Sequence, residues 1–152
     1  MPSITRKVTS SFAKIFSGKQ DMLEIGNLNA KRDWGYAKDY VEMIWRILNH
    51  TEPDDFVIAT GKVFSVKYMI ELAGNYFDYD IKWEGSGVDE IGFDSKSGKK
   101  LVKVNPQHFR PAEVEYLRGD FSKAKNILGW EPKTSFEELI EIMCKHDEKL
   151  FK

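Results

Sequence analysis

The feature that most restricts the fold is an alternation of helical and extended apolar patterns over the first half of the chain. Apolar residues recur every three or four positions in three stretches, at about 3–17, 37–50 and 65–77, which is the period of an amphipathic helix. Between them lie two short apolar runs, at 22–25 and 56–59, of the length expected for buried strands. Helices that alternate with strands are typical of an α/β layer, and the run at 56–59 favours a parallel strand buried on both faces.

The same period predicts which side chains face the core. Gly18 is a stop signal for the first helix, Ser65 caps the third, and two overlapping capping boxes at 134–138 begin a last helix. The predicted buried positions of these four helices are Ile4, Val8, Phe12, Ile15 and Phe16; Tyr40, Val41, Ile44, Ile47 and Leu48; Val66, Met69, Ile70, Ala73 and Phe77; and Phe136, Leu139, Ile140 and Met143.

The middle of the chain changes to short extended pieces. Residues 81–84 and 101–104 flank a polar loop at 94–100, which predicts a β-hairpin with a mobile, dispensable tip. A short helix then runs from a cap at Asp120 to Gly129. No linker or repeat interrupts the pattern, so we predict a single domain over residues 1–152 with a hairpin insertion at about 80–105.

Composition excludes several classes of protein. A net charge of −1 in 152 residues argues against nucleic-acid binding, and no apolar run has the length of a membrane span. The single cysteine cannot form an internal disulfide, which favours a cytoplasmic protein. The three histidines show no metal-ligand spacing, so we predict no metal site.

Two arginines on irregular backbone point to an anion. The chain has five arginines against eighteen lysines, and Arg32 lies in a polar turn that leads into a helix at 37. A loop-to-helix junction offers free N–H groups, and a guanidinium can hold two phosphate oxygens. Pro111 keeps Arg110 in an extended segment. The alternative is that Arg32 and Asp33 pair with other side chains to fix a loop.

Two further features are weaker. The adjacent carboxylates Asp89 and Glu90 would point to opposite faces of a strand, so a turn or surface role is favoured over an acid/base pair. Of the tryptophans, Trp34 is the one placed to border a ligand at this turn.

Taken together, these stretches resemble the GDP-mannose 4,6-dehydratase family of extended short-chain dehydrogenases/reductases, over nearly the whole chain. Arg-Asp and Arg-Pro pairs are shared with many nucleotide-sugar epimerases and dehydratases, whereas KRDW and FRPAE point to the GDP-mannose branch. The motifs are ITRK at 4–7, GNLNAKRDWG at 26–35, AKDYV at 37–41, VIATG at 57–61, GVDEIG at 87–92, FRPAEVE at 109–115 and LGW at 128–130.

The resemblance implies a division of labour. In such enzymes an N-terminal Rossmann half binds NADP and carries a catalytic Tyr-x-x-x-Lys pair, and the C-terminal part grips the nucleotide of the sugar. This chain resembles the C-terminal, substrate-binding part only, lacking most of the Rossmann core. None of its tyrosines has a lysine four residues later, and the cluster Gly85-x-Gly87-x-x-Glu90 lacks a third glycine.

The resemblance also assigns site residues and partners. Lys7, Arg32 and Arg110 would contact the diphosphate of GDP-mannose, Glu113 a ribose hydroxyl, and Gly26 and Asn27 would line the guanine-nucleotide pocket. No catalytic residue is expected. NADP would bind the full-length enzyme but not this chain alone, and the full-length form would be a homo-oligomer.

Three functions follow from these observations. The first is the substrate-binding portion of a GDP-mannose 4,6-dehydratase, inactive alone, whose complete form makes GDP-4-dehydro-6-deoxy-mannose. The second is a standalone nucleotide-sugar binding module without catalysis. The third is part of an epimerase or dehydratase of another nucleotide sugar. Because the Rossmann half is missing, we predict that the apolar surface it would normally cover is exposed on this chain.

Overall fold

The computed structural model describes residues 3–152, and within them the chain forms five helices and seven short strands. The helices are α1 (Ile4–Phe16), α2 (Ala37–Leu48), α3 (Val66–Tyr76), α4 (Ser122–Leu128) and α5 (Phe136–Phe151). The strands are β1 (Leu23–Ile25), β2 (Lys31–Arg32), β3 (Phe64–Ser65), β4 (Ile81–Glu84), β5 (Ile91–Asp94), β6 (Lys100–Val104) and β7 (Tyr116–Leu117). None of these five helices is both long and apolar enough to cross a membrane.

The strands form two sheets. In the larger sheet the order is β1-β6-β5-β4, with β1 parallel to β6 and the remaining neighbours antiparallel. In the smaller sheet β2 lies between β3, which is antiparallel to it, and β7, which is parallel. Both sheets join segments that are far apart in the sequence, and β2 and the end of β1 lie beside one cleft.

The main core confirms the predicted faces of three helices. α1, α3 and α5 pack together against the larger sheet, and their periodic apolar residues are buried as predicted, apart from Ile4 and Met143, which are partly buried, and Phe16, which is 55% exposed. Local signals fix the helix ends: Ser3 and Ser65 accept hydrogen bonds from the third residue of their helices, and Ser135 and Glu138 form the predicted capping box. The largest fully buried core side chains include Phe12, Leu23, Ile25, Met69, Ile70, Leu101 and Ile140.

A second, smaller core lies under α2. Met43, Ala124 and Trp130 are buried together, and the Trp130 indole donates a hydrogen bond to the Asp39 carbonyl oxygen at 3.0 Å. Gly129 ends α4 at a positive φ of 62°, so the chain can turn back and place Trp130 on the helix as the sequence predicts.

Two predictions about this region are wrong. α2 forms where expected, and Tyr40 and Ile47 of its predicted buried face pack against the smaller core. The other three residues of that face are turned outward, with Val41 64% exposed and Leu48 78% exposed. The run at 56–59 is not a strand, because it has no hydrogen-bonded neighbour strand in residues 3–152, and only Ala59 of it is buried. A strand and a buried helix face both need something to pack against, which the local pattern cannot supply.

A hairpin at the predicted tip is confirmed, but its first arm is β5, which was not predicted, and 81–84 pairs with β5 instead of with 101–104. β5 and β6 pair antiparallel around residues 95–99, and β4 adds a third strand. Asp94, at the start of the predicted dispensable tip, is only 3% exposed. Its carboxylate accepts hydrogen bonds from the Asp80 N–H at 2.9 Å, the Ser97 N–H at 3.1 Å and the Ser97 hydroxyl at 2.6 Å. The prediction that all of 94–100 is dispensable is therefore wrong at Asp94.

We expect Asp94→Asn to lower the free energy of unfolding at pH 7 by about 2 kcal/mol, because the amide must turn a donor toward the Ser97 groups that donate to the carboxylate. The Ser97 hydroxyl bond holds the pKa of Asp94 below its ordinary value of 3.8, against the opposing effect of burial. The carboxylate therefore stabilises the fold above the unfolded pKa, and this contribution is lost as the pH falls through the lower folded pKa.

The measurement is urea unfolding of both proteins from pH 7 to pH 2. The difference in stability should narrow below about pH 4. Lys99→Ala, an exposed change in the same tip, is the matched control and should stay within about 0.5 kcal/mol. A constant difference across the whole pH range would contradict the charged role of Asp94.

Candidate functional site

Two adjoining cavities form one open cleft between α1, the turn after β1 and the segment at 106–117. The larger cavity is about 410 Å³ and the smaller is about 310 Å³. All six residues that the resemblance assigns to the substrate line the smaller cavity. Gly26, Asn27, Arg110 and Glu113 line both cavities and form their common border. The structure thus brings together side chains from four separate stretches of the sequence.

The turn after β1 supports the cleft through close packing. A Cβ atom at Gly26 would lie 2.2 Å from the His108 carbonyl oxygen, so only glycine allows this approach. The Asn27 side chain donates to the Arg110 carbonyl oxygen at 2.9 Å and accepts from the Arg110 N–H at 2.9 Å. Both ends of the Asn27 amide are engaged with this backbone, so Asn27 holds Arg110 at the border of the cavities.

Arg32 does not lie in a turn before a helix. It is part of β2, and its Nη2 donates to Glu113 Oε1 at 2.5 Å while its Nη1 donates to the Lys31 carbonyl oxygen at 2.8 Å. The expectation of an anion site at the start of α2 is wrong, because no described residue of that helix lines either cavity. The polar stretch instead runs across the cleft as a strand between β3 and β7.

The alternative, loop-fixing role belongs to Asp33. Its carboxylate accepts hydrogen bonds from the Thr60 N–H at 2.9 Å, the Thr60 hydroxyl at 2.6 Å, the Gly61 N–H at 2.9 Å and the Gly119 N–H at 3.3 Å. Asp33 ties three loops together behind β2. Arg32 and Asp33 therefore serve different neighbours: Asp33 fixes backbone, and the Arg32 guanidinium faces the cleft beside Glu113.

Arg110 is an exposed cation at the common border of the two cavities. Its side chain is 76% exposed, and its nearest carboxylate contact is Glu113 Oε2 at 3.9 Å. It lies on irregular backbone before Pro111, as predicted. Its donors are thus free for a ligand, whereas those of Arg32 are partly used by Glu113.

Lys7 and His108 close the other side of the smaller cavity. Lys7 projects from the first turns of α1, and its Nζ lies 3.4 Å from His108 Nδ1. The sequence assigns no site role to His108. In the fold, His108 lies against Gly26 and Lys7 and so forms part of the cavity wall. Trp34 also lines this cavity, as predicted, and stacks on Phe136 with the ring centroids 5.3 Å apart.

The charges of the smaller cavity favour an anion. Lys7, Arg32 and Arg110 provide three formal positive charges against the single negative charge of Glu113. A partly enclosed wall of this sign concentrates anions, and two guanidinium groups offer planar sets of donors. In residues 3–152 no group of three or more histidine, cysteine, aspartate or glutamate side chains has the geometry to hold a metal ion.

The larger cavity contains residues that sequence analysis did not select for a ligand. Leu28, Phe109 and Tyr116 give it apolar walls, and Glu90 lies at its edge. Glu90 is only 7% exposed and pairs with Lys67, so the predicted surface role of this residue is wrong. Asp89, by contrast, is exposed.

Comparison with known proteins agrees with the motifs. The sequence profile of a family described as GDP-mannose 4,6 dehydratase matches residues 2–143. A GDP-mannose 4,6 dehydratase of Drosophila melanogaster is 47% identical over 98% of this chain and 38% of its own length. The Homo sapiens protein of that name is 45% identical over 98% of this chain and 40% of its own length. The chain thus spans about two fifths of the length of the curated relatives it matches.

Solved structures show the same fold at low sequence identity. RMD from Pseudomonas aeruginosa, complexed with NADPH, superimposes with a TM-score of 0.76 at 17% identity, over 97% of this chain and 43% of that one. A dTDP-glucose 4,6-dehydratase of Bacillus anthracis, in complex with NAD, gives a TM-score of 0.68 at 16% identity, over 91% of this chain and 38% of that one. The predicted α/β fold of a Rossmann-type nucleotide-sugar enzyme is therefore confirmed.

Proposed function

The chain belongs to the GDP-mannose 4,6-dehydratase family, and on that premise we propose that it supplies the substrate-binding region of such an enzyme, with GDP-mannose as its ligand. The observation that carries the proposal is the convergence of Lys7, Arg32 and Arg110 on one cavity next to Glu113. A nucleotide diphosphate fits this arrangement, because its oxygens can take the free donors of both arginines. Glu113 Oε2 is then placed to accept a hydrogen bond from a ribose hydroxyl.

The proposed role of this chain is to grip the substrate. The complete enzyme oxidises the sugar at C4, eliminates water across C5 and C6 and returns the hydride to C6, with NADP in the Rossmann half. Within this chain, the polar groups of the cleft orient the nucleotide and leave the sugar for the other half. Burial and neighbouring carboxylates raise the pKa of Tyr40 and of Tyr76 to about 12, so neither is suited to act as a base near neutral pH.

The glycine cluster at 85–90 does not fit a dinucleotide. Gly85 and Gly87 have positive φ values of 81° and 59°, and they form a turn between the antiparallel strands β4 and β5. A dinucleotide site needs a strand that leads into a helix N-terminus. We therefore assign no step involving NADP to the residues of this cluster.

The exposed face of α2 supports a role within a larger protein. Val41, Ile44, Trp45 and Leu48 are each at least 47% exposed, on one amphipathic helix. Val57, in the run that fails to form a strand, is also 52% exposed. Such adjacent apolar side chains are unusual on an isolated domain. The Rossmann half of the longer relatives is our proposed cover for this face, and the cytoplasm is the proposed compartment.

We expect the purified chain to bind GDP and GDP-mannose but neither to bind NADP nor to form a keto-sugar product. Isothermal titration calorimetry with each nucleotide, and chromatography of GDP-mannose incubated with the chain and NADP, are the measurements. UDP-glucose is the matched control ligand, and it should bind more weakly than GDP-mannose. NADP binding at micromolar concentration, or product formation, would contradict the division of labour. Equal binding of UDP-glucose would favour a different nucleotide-sugar enzyme.

A further inference from the structure

Glu90 is a buried carboxylate at the edge of the larger cavity that the proposed function leaves without a role. It follows the 3-10 turn Gly87–Asp89 and lies 7% exposed on the cavity wall. A buried carboxylate is costly unless it is paired and hydrogen-bonded. Lys67 supplies the pairing, through contact of its Nζ with Glu90 Oε1.

The surroundings of Lys67 fix the position of the Glu90 carboxylate. Lys67 Nζ lies over the Trp83 ring, 5.0 Å from its centroid, and the Trp83 indole donates to Glu71 Oε1 at 2.8 Å. The Lys67 N–H donates to the Leu28 carbonyl oxygen at 2.9 Å, which links the same residue to the turn that lines the cavity. The carboxylate is therefore held before any ligand arrives, and Oε2, which accepts no hydrogen bond from residues 3–152, is left for one.

The position of the common border of the two cavities indicates which part of the ligand lies near Glu90. If the diphosphate is at Arg32 and Arg110, the nucleoside extends from that border into the larger cavity. Leu28, Phe109 and Tyr116 offer apolar and aromatic surface of the kind that packs on a purine. The larger cavity, at about 410 Å³, is within the size range of nucleotide-sized sites.

The geometry points to Glu90 as the residue that selects guanine, an inference that rests on the proposed function. Guanine presents two donors on one edge, N1–H and the 2-amino group, and a carboxylate accepts at both of its oxygens. Adenine places an N1 lone pair at this point and would be repelled. Lys67 is a positioning residue, because it holds the carboxylate and does not line the cavity.

The test is base selectivity of the chain and of Glu90→Gln, measured by calorimetry with GDP, IDP and XDP. IDP lacks the 2-amino group, and XDP carries an oxygen in its place. The wild-type chain should bind GDP about tenfold or more tightly than IDP, and XDP still more weakly. In Glu90→Gln the GDP/IDP ratio should fall to about threefold or less. XDP affinity should rise relative to GDP, because an amide can accept from N1–H and donate to the 2-oxo group.

A gain in XDP binding cannot come from unfolding, which protects the test against a merely destabilised variant. Asp89→Asn is the matched control, since Asp89 is the adjacent carboxylate, exposed and outside both cavities, and the GDP/IDP ratio of this variant should equal that of wild type. If Glu90→Gln does not fold, Glu90→Asp replaces it: the withdrawn carboxylate should weaken GDP more than IDP.

Each outcome decides between the two proposals. GDP binding with the same GDP/IDP and GDP/XDP ratios in wild type and Glu90→Gln would overturn the role of Glu90 and leave the proposed function standing. No GDP binding by the wild-type chain would overturn the proposed function and this inference with it. An equal collapse of the ratios in Asp89→Asn would overturn the role of Glu90, because the loss would then come from the turn and not from the Glu90 carboxylate.

Discussion

Arg6→Met is expected to lower the free energy of unfolding by about 3–5 kcal/mol, a large part of the total stability of a domain of this size. Arg6, on α1, contacts Asp147 Oδ1 on α5, and the Asp147 side chain is fully buried. Asp147 Oδ2 accepts a hydrogen bond from the Thr9 hydroxyl at 2.7 Å. Removing Arg6 leaves a carboxylate in the core with one hydroxyl as its partner, and an uncompensated buried charge is costly.

A substitution of the other partner, Asp147, should lower the stability less than Arg6→Met does. This difference between the two variants is the sharper test. Asp147→Asn removes the charge from the core, while Arg6, whose side chain is 37% exposed, can be hydrated. We expect a loss of about 1–3 kcal/mol. The double variant Arg6→Met with Asp147→Leu should recover most of the stability lost in Arg6→Met, because apolar replacement of a buried pair is often neutral.

Urea unfolding at pH 7 of the three variants and wild type gives these values, provided the dependence on urea is unchanged. Lys125→Met, which breaks the exposed pair with Glu131, is the control and should stay within about 1 kcal/mol. If Asp147→Asn destabilises as much as Arg6→Met, the buried charge does not account for the effect.

Asp147 also affects Cys144. Burial and the Asp147 charge raise the pKa of the Cys144 thiol to about 12, which keeps this thiol unreactive.

The features that could be predicted from the sequence are those determined by residues close together in the chain. α1, α3 and α5 begin at serine caps and repeat apolar residues with the helical period, and both signals lie within a few residues of the feature they predict. The hairpin tip and the αL turn at Gly129 are likewise local. The motif resemblance added the six site residues, and the structure places them on one cleft although they span residues 7–113.

The failures share a different cause. The run at 56–59 has the composition of a strand but no neighbouring strand to pair with in residues 3–152, and Val41 and Leu48 of α2 are left exposed. Burial requires two surfaces that pack together. An apolar pattern shows which side chains can be buried, but it does not show which surface covers them. Arg32 pairs with Glu113, and Arg6 pairs with Asp147. In each pair the partners are far apart in the sequence, and no spacing rule indicates such partners.

Arg110→Lys is expected to weaken GDP binding about 10- to 150-fold and to leave the melting temperature unchanged. The substitution keeps the charge but removes the planar fork, and a hydrogen bond to a charged group contributes about 1.5–3 kcal/mol. The Arg110 side chain is 76% exposed, and its nearest carboxylate contact, with Glu113, is at 3.9 Å. Loss of this weak contact should therefore hardly change the stability of the fold. Arg32→Lys should lower both affinity and stability, since it also breaks the 2.5 Å contact with Glu113.

Calorimetry with GDP and with guanosine, beside a thermal melt, separates the phosphate contact from other effects. Guanosine has no phosphate, so its affinity should be the same for wild type and Arg110→Lys. Arg118→Lys is the matched control, because Arg118 is an exposed arginine just beyond the same segment and outside both cavities. GDP affinity within threefold of wild type would remove Arg110 from the diphosphate site, and a fall in melting temperature would instead make it a structural partner of Glu113. Loss of guanosine binding together with GDP binding would mean that Arg110 shapes the nucleoside pocket and does not hold the phosphates.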